Sequence, residues 1–237
     1  MMSCSPKAIA AALLLALAAN TPARAQSTDG HCDGAAFADA LGIARVLRTT
    51  AKVNFVRGVH SNKNCPNATE ACRDRPFLMA GDTVLTSGNH GGFVCATFVN
   101  TRAIETIGWL PAAALETMPV APLPLGLWHG TWRRIEAEIR IKPAAGGALA
   151  IDGTAAWGSH DPARVARGSV RVGEISATTK PEGDAVFFSD EPAPTFEKVP
   201  ENVCAVRMRR IASYLVVEDN RSCGGINVSF SGIYVRK

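Results

Sequence analysis

The chain has 237 residues, 47% of them hydrophobic and 19% charged, with a formal net charge of +4. That length leaves room for two small domains or one large one. The near-balanced charge gives no footprint for nucleic acid, and no stretch approaches the ~20 apolar residues of a membrane span.

Residues 1–25 read as a leader peptide. Lys7 precedes the short apolar run "AIAAALLLALAAN", and "TPARA" ends in the small-x-small pattern Ala23-Arg24-Ala25. Cleavage after Ala25 would place the protein in the periplasm or outside the cell. The leader holds Lys7 and Arg24 and no acid, so the rest carries 23 basic and 21 acidic side chains, a balance of +2. In residues 26–50, Asp33 is placed to cap a helix with Phe37, Leu41, Ala44 and Leu47 on one stripe. Short β-rich runs follow over residues 51–117: "KVNFV", "TVLTS", "GFVCATFV" and "ETIGWL". Turn residues separate them, so this is a small antiparallel β domain. The proline-rich stretch at residues 118–126 then reads as a stiff linker.

Residues 127–237 alternate more strictly. Ile135, Ala137, Ile139 and Ile141 face one way, and Glu136, Glu138, Arg140 and Lys142 the other. Leu149, Ile151, Gly153, Ala155 and Trp157 repeat the pattern, and "SVRVGEI", "DAVFFS", "VCAVRMRR", "YLVVED" and "NVSFSGIYV" extend it. Val228, Phe230, Gly232 and Tyr234 share a face of the last run. Seven or eight such strands predict a larger antiparallel barrel or sandwich.

Beyond the leader stand six cysteines, an even number that reads as disulfides in an exported chain. With the linker as boundary, Cys204 pairs with Cys223. The run between them reads as a hairpin turning near Ile211–Ala212, which returns the chain to Cys204 at Asp219. In the first half Cys65 and Cys72 flank "PNATEA" and are read as bridging it, leaving Cys32 and Cys95. Four cysteines allow three pairings, and a link from Cys32 to Cys65 stays open.

From Val53 to Glu116 the chain resembles the bacterial SH3-like family. The residues that carry the resemblance are "GDTVLTS" (Gly81, Asp82, Val84), the aromatic Phe93 and "GWLPAAAL" (Gly108, Trp109, Leu110, Pro111). The resemblance implies a small barrel closed by the Gly-Trp-Leu-Pro segment, with Gly108 allowing a bend there, and a role in cell-wall or envelope targeting. The insertion "CPNATEACRD" departs from a simple SH3 loop, and no tyrosine supplies a proline-peptide groove. The second half is similar to the C-terminal module of exported bacterial proteins ending in DNxxCGGxNVxFxGxY. Its opening Gly130-Thr131-Trp132 is similar to the start of lipocalin-like barrels, which implies that a late arginine, here Arg236, packs over the indole.

Residues that could do chemistry do not converge. Ser159-His160-Asp161 are consecutive and point apart, whereas a hydrolytic triad needs partners from separate places. Glu136 and Glu138 share a strand face with Arg140 and Lys142, a solvated face rather than a glycosidase pair. His31, His60, His90, His129 and His160 form no ligand motif and read as surface residues, so neither metal nor cofactor is expected. Gly224 and Gly225 are read as supplying backbone angles that other residues avoid. Candidate ligand contacts are Phe93, Phe98 and Trp109 as a groove, with Arg207 and Arg209 on a basic strand face. The expectation is therefore a non-enzymatic envelope-binding protein whose SH3-like half holds peptidoglycan or a protein partner. Inhibition of a lysozyme-like glycosidase is the alternative, although Ser231-Gly232-Ile233-Tyr234 falls one residue short of a known inhibitor motif, Ser-Gly-x-x-Tyr. An open second barrel would instead point to a small-molecule carrier.

Overall fold

β-Branched and aromatic residues in short runs, punctuated by glycine and asparagine, leave the chain little choice but strands. The computed structural model describes residues 29–37, 40–120 and 123–237; the expected leader lies outside them. The first seven strands are β1 (Gly42–Val46), β2 (Lys52–Val56), β3 (Arg73–Met79), β4 (Thr83–His90), β5 (Phe93–Val99), β6 (Glu105–Pro111) and β7 (Leu115–Met118). They form one antiparallel sheet in the order β3-β2-β6-β5-β4-β1-β7.

The helix expected over Phe37, Leu41, Ala44 and Leu47 does not form: Ala44 lies within β1, and Leu41 and Leu47 flank that strand. Ile43 packs into one apolar cluster while Ala44 and Val46 pack into another on the opposite side. Only a period of two can bury both sides of so short a segment. Gly42 completes the fit, since a Cβ there would stand 2.6 Å from Thr86 Oγ1 on the neighbouring strand.

The second sheet comprises β8 (Gly130–Arg134), β9 (Ala137–Pro143), β10 (Leu149–Trp157), β11 (Arg171–Thr179), β12 (Ala185–Ser189), β13 (Ala205–Ile211), β14 (Tyr214–Asp219) and β15 (Gly232–Arg236). A five-residue helix, α1 (Pro162–Ala166), interrupts it, with Asp161 capping the amides of Ala163 and Arg164. The order β11-β10-β9-β8-β15-β14-β13-β12 is a meander that closes through β8 and β15 and nearly meets itself at β11 and β12. Ile135 is corrected from the strand to the turn: it lies 45% exposed beside Glu136, whose φ is +63°.

Side chains fill the interior of this nearly closed barrel. Trp132, Ile139, Leu149, Ile151, Met208 and Tyr234 are all fully buried there. The space where an open cup would lie is therefore packed. The Cys204–Cys223 bridge joins this interior, and Cys32–Cys95 and Cys65–Cys72 tie the first half.

The cluster that Ile43 enters is shared by the two sheets. Ile211, Tyr214, Val216, Ile233 and Val235, on the outer face of β13–β15, pack against Leu41, Ile43, Leu85, Val99 and Ala103. The Tyr214 hydroxyl crosses the seam and donates to the Thr83 carbonyl at 2.5 Å.

Candidate functional site

A groove forms where β1 lies between β4 and β7, beside the seam. Its register begins in β4, where the pairing with β5 shifts between Thr86 and Gly88. Such a bulge bends a strand and opens the surface beside it. Gly42, Ala44, Gly88 and Ala112 fill little of the space that results, which amounts to about 570 Å³. Leu41, Val94, Leu115, Met118 and Val120 give it apolar walls, and Thr86, Ser87, Asn89 and Thr117 add hydroxyl and amide groups. Arg209, reaching over from β13, is the charged residue in the lining. Its guanidinium lies 3.2 Å from the Asp184 carboxylate, which fixes its direction.

The aromatic residues singled out in the sequence lie elsewhere. Trp109 is fully buried and packs with Phe93, Val56 and the two first-half disulfides, while its indole Nε1 donates to the Gly30 carbonyl at 3.2 Å. Phe98 packs against the core formed by Val46, Phe55 and Leu110. None of the three lines the groove. Gly108, expected to permit a bend, serves a close approach instead: a Cβ would stand 3.1 Å from Phe55 Cδ1. Pro111 ends β6, and a single 3₁₀ turn over Ala112–Ala114 follows.

The basic strand face is largely neutralised. The Arg207 guanidinium sits 4.5 Å and 4.4 Å from the ring centres of Phe37 and Phe196, and each of Glu197 and Glu218 lies 2.7 Å from it. It acts as mortar between elements, with its charge already answered. Arg210 is buried and spans Trp132, 4.4 Å from the ring centre, while donating to the carbonyls of Leu127 and Tyr214. Arg236 lies 5.1 Å from the same ring and donates to the carbonyls of Leu127 and His129. The indole is thus covered by two guanidiniums where one was expected. Burial, with Arg236 close by, lowers the pKa of Arg210 to about 10.

Glu136 and Ser159 do meet, but as a clamp. The Ser159 hydroxyl and the His160 amide both donate to Glu136 Oε1, at 2.9 Å and 3.3 Å. Burial works against that carboxylate, yet the hydrogen bonds from Ser159 and His160 hold its pKa below the ordinary value. A carboxylate held ionised in this way is a poor proton acceptor. The inhibitor-like segment is also withdrawn: Tyr234 is fully buried with its hydroxyl on the Phe230 carbonyl, and Ser231 binds Asp219.

Of the candidate ligand contacts read from the sequence, one, Arg209, lines the groove. The others are small or aliphatic residues from distant segments, and nothing in their local pattern marks a concavity. No family model, curated protein or solved structure matches the chain.

Proposed function

We propose that the protein is an exported, non-enzymatic binding protein of the bacterial cell envelope, and that the groove between β1, β4 and β7 holds its ligand. The groove itself carries this reading. Small residues between apolar walls suit an extended peptide with small side chains, and the guanidinium of Arg209, which Asp184 orients, suits a carboxylate on it. The stem peptides of peptidoglycan combine alanine-sized side chains with free carboxylates. The three disulfides mark an oxidising compartment, in keeping with a leader cleaved after Ala25. The placement of Pro111 and the turn after it supports the SH3-like reading of the first half. The meander order and the Trp132–Arg236 contact support a lipocalin-like architecture for the second.

Retention on purified sacculi tests the reading. Ala112 and Thr117 are exposed lining residues, so Ala112→Trp or Thr117→Trp fills the groove without entering the core. Each should reduce retention at least about tenfold, a loss of ~1.4 kcal/mol of binding, with the melting temperature unchanged. Equal retention of folded variants and wild type would place the ligand elsewhere. Retention on envelope proteins but not on sacculi would make the ligand a protein segment.

A further inference from the structure

His31 and His60, two of the chain's five histidines, meet at one end of the first sheet, and His90 lies near Gly30. Gly30 organises them. Its carbonyl accepts hydrogen bonds from the Val59 amide and the Trp109 indole at 3.3 Å and 3.2 Å. His31 is therefore held between that anchor and the Cys32–Cys95 bridge, and His60 follows the anchored Val59. His90 ends β4 with its ring centre 6.0 Å from that of Trp109, and its Nε2 would lie 3.6 Å from a Cβ placed on Gly30. His31 Nδ1 and His60 Nε2 are 2.8 Å apart, with ring centres 4.2 Å apart and planes tilted by 54°.

We propose that His31 and His60 chelate a copper(II) ion. Two metal–imidazole bonds of ~2.0–2.1 Å to nitrogens 2.8 Å apart enclose an angle of about 86°. That is close to the right angle between neighbouring positions of a tetragonal field, whereas a tetrahedral angle needs the nitrogens about 0.5 Å further apart. Tetragonal nitrogen and oxygen coordination selects copper(II) or nickel(II), and copper(II) heads the affinity order. Among the described residues no group of three or more His, Cys, Asp and Glu side chains is arranged to hold a metal. The pair accordingly supplies two of the ligands. The two rings now share a hydrogen bond; on binding, the donor ring moves its proton to its other nitrogen, and a small rotation turns both lone pairs onto the ion. The anchored backbone limits the entropy lost when the ligands are fixed.

Copper(II) titrated into the folded protein, with electron paramagnetic resonance and intrinsic tryptophan emission as readouts, tests this. We expect one ion per chain, a tetragonal spectrum with hyperfine splitting from two nitrogens, and quenching through the nearby Trp109. His31→Ala and His60→Ala should each weaken binding by at least about tenfold, whereas His160→Ala, in an exposed turn, should not. His31→Gln and His60→Gln, which keep side-chain bulk, serve if an alanine variant unfolds. Unchanged copper affinity in folded variants at both positions, a single-nitrogen spectrum, or zinc binding as tight as copper would each overturn the assignment.

Discussion

Tyr214 and Tyr234 are the chain's only tyrosines, and their phenols point to opposite sides of the second sheet. Burial pushes the Tyr214 phenol up to about 12, with a hydrogen bond at Val99 opposing and Asp82 adding to the rise. Tyr234 is pushed further by complete burial, against the pull of Arg134. Both folded values exceed the ordinary 10.0, so between pH 10 and 12 the native state keeps protons that the unfolded chain releases. The stabilisation is complete below pH 10 and is lost as pH rises through that window. Arg210 acts in the opposite sense, because its lowered value leaves the unfolded chain holding the extra proton above about pH 10. Two phenols outweigh one guanidinium, and net stability should fall. Absorbance at 295 nm checks this: at pH 10 to 11 the folded protein should show almost no phenolate, while the protein in denaturant titrates near 10. One ordinary titration in the folded state would show a phenol open to water.

At the scale of elements, the loop between β14 and β15 shows what local pattern conveys and what it omits. The bridge from Cys204 to Cys223 was legible because a hairpin reflects positions about its turn; the register differs by two residues from the one expected, since Ile211 pairs with Tyr214 and Val206, not Cys204, lies opposite Asp219. The role of the glycines was not. Positive φ falls on Arg221 and Asn227, whereas Gly224 and Gly225 lack it. Gly224 is small because β11 passes beside it: a Cβ there would stand 2.7 Å from the Gly173 Cα. Asp219 ties the loop down, its Oδ1 accepting from the hydroxyls of Ser229 and Ser231 and from the Ser231 amide. That convergence depends on the loop's path, which spacing alone does not reveal. The double variant Cys204→Ala/Cys223→Ala should lose about 3 kcal/mol, the loop-closure value for a span near this length. Urea unfolding measures it; a loss under about 1 kcal/mol would mean that the Asp219 contacts alone hold the loop.

For the whole molecule, alternation distinguishes an inner from an outer face but cannot tell which outer faces stay wet. Most strands of the second sheet carry charge outside, as the sequence implies. "YLVVED" does not: Tyr214 through Val217 are all buried, with Leu215 and Val217 in the barrel and Tyr214 and Val216 in the seam. A continuous apolar run of this kind marks a strand covered on both sides. The groove was illegible for a related reason, since its small residues become a concavity only once β1, β4, β7 and Arg209 are assembled. A seam of ten buried residues should make the halves unfold together. Ile233→Ala, at its centre, should cost about 2–5 kcal/mol and lower the transition of both halves. Tryptophan emission and far-UV circular dichroism should give coincident curves in urea. A biphasic curve in which Ile233→Ala shifts only one phase would mean that the halves are energetically separate.

The pairing of β15 with β8 has a kinetic side. Val235 lies opposite Arg133, and the same strand carries Ile233 and Val235 into the seam, yet β15 comes after every other strand in the chain. A chain delivered N-terminus first, from a ribosome or through a membrane pore, presents this strand after all its partners. Until it arrives, β8 and β14 each keep an open edge and the apolar seam lacks part of its cover, the state in which β proteins aggregate. The second sheet cannot be completed before this strand arrives, and that interval is the one in which a chaperone that shields open edges would act.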